Sequence, residues 1–151
     1  MLTDTGVKPF SKFFLFSSAA ILTITGTAKI LSAWGDSKIL TVGDPVTGIP
    51  FGGLITTVGL VEIAIALTCL LCKRQAVSLG FVAWFSTNVV AYRVGLWGTG
   101  WKKPCNCLGN LTDVVHISPQ TADSIMKVLL VYLLLGSYHF LIPAIRHKRI
   151  F

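Results

Sequence analysis

The sequence predicts an all-α protein, a transmembrane four-helix up-down bundle. Two features of composition point there: hydrophobic residues make up 53% of the 151 and charged residues only 13%, about half the charged share of a soluble domain. The third is the arrangement of four apolar stretches, near Phe13–Trp34, Phe51–Leu71, Ala76–Trp97 and Ile125–Ile145. Each is long enough to cross a hydrocarbon core of roughly 30 Å at about 1.5 Å per residue. No stretch between them suffices for a water-soluble core, so residues 1–151 read as a single integral membrane domain. Connections are short and backbone polar groups must be satisfied within helices, which favours antiparallel neighbours.

Taken in order, Met1–Lys12 form a polar lead. Lys8 and Lys12 before an apolar run resemble a secretory signal, and Gly26-Thr27-Ala28 supplies small residues of the kind found at cleavage sites. The run continues to Trp34, longer than the apolar region of such signals, so span 1 is expected to be retained. Trp34 suits a membrane interface and Gly35-Asp36 ends the helix. The loop Asp36–Pro50, with Gly43-Asp44-Pro45, reads as turns. Span 2 runs into Lys73-Arg74, leaving room only for a tight hairpin before span 3. Trp97, Gly98, Gly100 and Trp101 then form an interfacial belt with a glycine stop, and the long loop 98–124 follows. Ser118-Pro119 predicts an N-cap with proline at the first helical position, and Asp123 suits the positive end of the helix dipole. Span 4 runs to about Pro143. Gly26, Gly52, Gly53 and Gly59, with the small residues Ser17 to Ala20, allow close helix contacts.

A net charge of +7 in a soluble protein would suggest nucleic acid, but here the basic residues sit mostly outside the spans. Lys8, Lys12, Lys73, Arg74, Arg146, Lys148 and Arg149 fall on one side of a four-span topology; Lys38, Lys102 and Lys103 fall on the other. The positive-inside rule puts both termini in the cytoplasm, the protein in the cytoplasmic (inner) membrane and the 98–124 loop outside. The expected partner is the lipid bilayer and not nucleic acid.

The chemistry-bearing residues fall into two groups. In the 98–124 loop, Cys105 and Cys107 follow Lys102 and Lys103, whose charge favours the reactive thiolate. Thiols one residue apart can close a strained, reducible ring suited to exchange, form a structural bridge, or bind a soft metal with His116. All three readings stay open on the residues alone. Cys69 and Cys72 share a helix face near the other end of span 2, where packing is the expected role. His139 and His147 form no ligand cluster.

The second group is embedded. Lys29, Glu62 and Arg93 are counted as the charges within the spans, each costly in hydrocarbon and expected to face the bundle interior. Glu62 is within reach of Lys29 or Arg93, while Asn88 and Tyr92 lie one turn apart and are expected to line the same cavity. A purely structural ion pair is the plainer alternative, as is snorkelling of Lys29 and Arg93 to the interface.

Three elements resemble the DoxX/MauE family of small redox-associated membrane proteins. They are Gly26-Thr27-Ala28-Lys29-Ile30-Leu31, Gly59-Leu60-Val61-Glu62-Ile63 and Cys105-Asn106-Cys107-Leu108-Gly109. The last is similar to the Cys-x-Cys-Phe-Gly element of MauE-type proteins, with leucine at 108 in place of the aromatic. The resemblance implies a helper for extracytoplasmic thiol–disulfide exchange or partner maturation, as MauE proteins serve methylamine utilisation. It implies a thioredoxin-like or disulfide-containing partner outside the membrane. The layout is similar to four-helix vitamin K epoxide reductases, which implies a membrane quinone as electron carrier. The rival expectation is a non-catalytic subunit or assembly factor of a larger membrane complex, with structural cysteines.

Overall fold

The computed structural model describes residues 9–34, 38–100 and 118–148. The described residues form helices α1 (Pro9–Ala33), α2 (Phe51–Leu71), α3 (Gln75–Gly98) and α4 (Pro119–Lys148), with a 3₁₀ turn at Lys38–Thr41. Among the described residues there is no β-strand; Gly43 and Pro50 form one isolated antiparallel bridge that ties off the α1–α2 loop. Three helices are long and apolar enough to cross a membrane: α1, α2 and the Gln120–Ile145 part of α4. Helix α3 has comparable length, 24 residues, but dilutes its apolar character with Ser78, Ser86, Thr87, Asn88, Tyr92 and Arg93.

Short connections dictate the order. Cys72 to Arg74 make the turn between α2 and α3, closed by the Cys72 amide on the Thr68 carbonyl, so these helices run antiparallel. One end of the bundle therefore carries this hairpin. The other carries Trp34 and Trp97, 81% and 84% exposed.

The helices pack chiefly as two pairs, α1 on α2 and α3 on α4. In the first pair the two loose glycine motifs face each other. A methyl added at Gly26 would lie 2.9 Å from the Gly59 carbonyl oxygen, and one at Gly59 2.9 Å from that of Gly26. Only glycine permits this backbone approach, the kind of packing that replaces a hydrophobic driving force in lipid. The pairs join near the hairpin end, where Phe14 meets the rings of Tyr132 and Phe140 and Ser17 shares a hydrogen bond of 2.7 Å with Tyr132. Leu22, Leu79, Val82, Phe85 and Leu133 complete the buried core. Many hydroxyls within the helices are satisfied locally: Thr23, Thr56, Thr57, Thr68 and Thr87 each donate to the carbonyl one turn back, whereas the buried Ser18 and Ser86 hydroxyls find no partner among the described residues.

Four expectations need correction. Helix α1 begins at Pro9, earlier than the apolar run at Phe13, because helix continues through the polar approach. Helix α4 begins at Pro119, where the Ser118-Pro119 reading put it, and it is the loop bound of 124 that is too late: residues 119–124 belong to the helix. Ser118 caps it as expected, accepting from the Thr121 amide at 3.2 Å. Helix α4 also passes Pro143 and ends at Lys148; the missing proline N–H costs one bond without ending the helix. Lastly, Asp123 lies beyond the first turn and serves two cations instead of the helix dipole.

Candidate functional site

The Gly26–Gly59 crossing sets the centre of the site. One turn beyond each glycine stand Lys29 and Glu62, and the close approach brings their side chains together. Lys29 Nζ donates to Glu62 Oε1 at 2.6 Å, with both side chains under a tenth exposed. The Thr25 hydroxyl lies 3.0 Å from Glu62 Oε2 and from the Ile21 carbonyl, placed to donate to either. Of the two partners expected for Glu62, the fold selects Lys29. Snorkelling is excluded for Lys29, which is 5% exposed and turned into the bundle.

Arg93 pairs elsewhere. Its guanidinium donates to Asp123 Oδ1 at 2.9 Å, and Lys127 reaches Asp123 Oδ2 at 2.6 Å. Lys127 is a fourth charge within the span, missed in the count of three; it is largely exposed and one helical turn from Asp123. The Asp123/Lys127 spacing of four was the available signal.

A further tie was not anticipated. Asp44, read only as part of a turn, is 2% exposed. Its Oδ1 accepts from the Val46 amide and from the amide and hydroxyl of Thr47, an Asx-type turn. Its Oδ2 accepts from the Tyr92 hydroxyl at 2.5 Å, fastening the α1–α2 loop to α3. Burial alone would raise the Asp44 pKa, but the hydrogen bonds from Tyr92, Thr47 and Val46 outweigh it and hold the carboxyl below its ordinary range. The available hint was Asp44 followed three residues later by Thr47, in a chain with six acidic residues.

Lys29, Glu62, Thr47, Tyr92 and Arg93 of these groups line a cavity of about 450 Å³ walled by all four helices. The five polar residues expected to share a cavity, Lys29, Glu62, Asn88, Tyr92 and Arg93, all line it. The rest of the wall is mainly apolar, from Phe51, Val58, Phe85 and Leu129 among others. A mostly apolar volume with a few convergent polar groups is the usual form of a small-molecule site.

The thiol group of residues cannot be placed in the same way. Cys105, Cys107, Lys102, Lys103 and His116 lie outside the described residues, as does Trp101. The segment that carries them joins Gly100 to Ser118, both at the tryptophan end, where Asp44, Tyr92 and Arg93 gather. Cys69 and Cys72 are free thiols, half-buried at the hairpin end. No protein-family model, curated protein or solved structure matches this chain.

Proposed function

We propose that this chain is a DoxX/MauE-like protein of the cytoplasmic membrane that supports thiol–disulfide exchange, or maturation of a partner protein, on the outer face. In this reading the tryptophan end faces outward and both termini are cytoplasmic. Cys105 and Cys107 cycle between dithiol and disulfide, and Lys102 and Lys103 favour the thiolate. Oxidation of the pair releases two electrons and two protons to a thioredoxin-like partner's disulfide or to a membrane quinone; reduction reverses the flow. The family assignment rests on the Cys105-Asn106-Cys107-Leu108-Gly109 element.

The observation that supports the reading most is the polar-lined cavity at the end from which the cysteine segment departs. Buried ionisable residues in a membrane helix are costly and commonly mark function. The test is the redox state of Cys105 and Cys107 in intact cells, read with a membrane-impermeant alkylating reagent before and after mild reduction. Labelling that appears only after mild reduction, and loss of function in the double serine variant, are expected. A bond that yields only to harsh reduction would sink the exchange role.

A second reading is an assembly subunit with structural cysteines. It is favoured by the position of the other two cysteines: Cys69 and Cys72 lie at the hairpin end, away from Gly100 and Ser118, between which the first pair falls in sequence, and so offer it no evident second pair for a relay. Stable stoichiometric co-purification with another membrane protein would select it.

A further inference from the structure

The cavity has a mouth, and its position matters more than its volume. Four of its lining residues are also exposed: Thr47 in the α1–α2 loop, Thr57 on α2, and Trp84 and Asn88 on α3. Exposed lining residues mark where a cavity opens, so the opening lies between α2 and α3 and extends to that loop. These two helices touch little, because α2 packs on α1 and α3 on α4. Counting from the tryptophan end at about 1.5 Å per residue, Thr57 is about 9 Å deep, Asn88 about 15 Å and Trp84 about 21 Å. That depth falls within a hydrocarbon core of roughly 30 Å. The part of the mouth between α2 and α3 therefore faces lipid tails, and Thr47 marks its edge at the tryptophan end.

The polar groups at and behind the mouth restrict what fits. Asn88 Nδ2 donates to the Trp84 carbonyl at 2.8 Å, which leaves its Oδ1 and second N–H without a protein partner. An unmet amide facing hydrocarbon is costly. Deeper in, Lys29 spends one of its three N–H donors on Glu62. Both residues thus hold N–H donors that an entering acceptor can meet. Both cations that line it already have a carboxylate: Lys29 faces Glu62, and Arg93 faces Asp123, which Lys127 also reaches from outside the lining. A charged headgroup would arrive without a counter-charge, whereas an uncharged hydrogen-bond acceptor meets free donors and loses no ionic hydration.

We infer that the cavity binds an uncharged, carbonyl-headed lipophile that enters from the bilayer between α2 and α3. The head accepts from Asn88 at the mouth or Lys29 behind it, and the apolar chain trails into the lipid. The inference does not rest on the thiol chemistry, since no cysteine lines the cavity among the described residues. A ring carbonyl, as in a benzoquinone, and an ester carbonyl, as in a diacylglycerol, share this chemistry.

Trp84 supplies the readout. Replacing Trp34, Trp97 and Trp101 with phenylalanine leaves it as the sole tryptophan. The full chain in phosphatidylcholine nanodiscs is titrated with decylubiquinone in one arm and a chain-brominated diacylglycerol in the other, both of which quench tryptophan. Saturable quenching is expected in at least one arm, and the arm that saturates identifies the source of the carbonyl. Val58→Phe, which fills the cavity wall, should abolish saturation, and Asn88→Leu should weaken binding by up to about tenfold, the worth of one hydrogen bond. Asn88 is exposed and its unmet amide is costly in hydrocarbon, so its variant should unfold at or above the parent's midpoint and serves as the folded control. Quenching that rises linearly with probe in both arms, and equally in both variants, would overturn the inference.

Discussion

The buried pair of Lys29 and Glu62 offers the sharpest quantitative test. Glu62→Gln keeps the shape of the side chain and removes its charge. The Lys29 ammonium then remains among groups that leave it 5% exposed, with its carboxylate gone from 2.6 Å. Removing one member of a buried pair costs about 3–5 kcal/mol, because the surviving charge is uncompensated. Replacing both, as Lys29→Met with Glu62→Leu, removes the uncompensated charge along with the attraction, and such swaps are often neutral or stabilising. The double variant should therefore be more stable than Glu62→Gln alone. The assay is reversible unfolding in mixed micelles by denaturing detergent, run as a double-mutant cycle. A Glu62→Gln loss below about 1 kcal/mol, the scale of a solvated pair, would refute the argument that the pair is dry. So would a double variant whose loss equals the sum of two large single losses.

Other outcomes follow from the same geometry. Gly59→Ala should destabilise the α1–α2 pair by about 1–3 kcal/mol, the usual cost of overpacking, because its methyl would meet the Gly26 carbonyl oxygen at 2.9 Å; Gly80→Ala, with open space around it, is the control in the same unfolding assay. Asp44 has a depressed pKa, so its contribution to stability is complete above the ordinary carboxylate value of about 4 and fades as pH falls through the lower folded value. Unfolding midpoints should not change through this group between about pH 7 and 5, should fall below about pH 4, and should lose that acid limb in Asp44→Asn. Cys72, half-buried beside exposed Lys73 and Arg74, should label with an impermeant maleimide only in inverted vesicles if the hairpin end is cytoplasmic.

Much of this fold was legible because three of the four helices obey a single demand, apolar length enough to cross a bilayer; the fourth expected span, α3, has the length and falls short in apolar character. Span 2 and span 3 were placed within a residue or so at each end, since Pro50, Lys73-Arg74 and Gly98 punctuate them sharply. Helix ends without such punctuation were misplaced: nothing apolar marks Pro9 or Lys148, yet helix runs to both. The five embedded polar residues were found because hydrocarbon makes them conspicuous. Asp44 and Asp123 were not, because an aspartate in a loop or near a helix start looks solvated until tertiary packing covers it. Which cation Glu62 takes was likewise undecided by spacing. It depends on the Gly26–Gly59 backbone approach, a long-range fact that neither motif states alone.

The division of the bundle into two pairs has a mechanical consequence. Each ion pair is internal to one leaf of a book: Lys29 and Glu62 bind α1 to α2, Arg93 and Asp123 bind α3 to α4. The spine runs along the hairpin end, where Cys72–Arg74, the Phe14 ring contacts and the Ser17–Tyr132 bond hold the leaves together. At the fore-edge, the Asp44–Tyr92 hydrogen bond is the clasp. Parting the leaves there breaks that clasp and spares both buried pairs, so the cover can lift while the binding stays sewn. Widening the interior toward that end parts the Asp44–Tyr92 phenol–carboxylate bond and the packing of Val46 against Gly95.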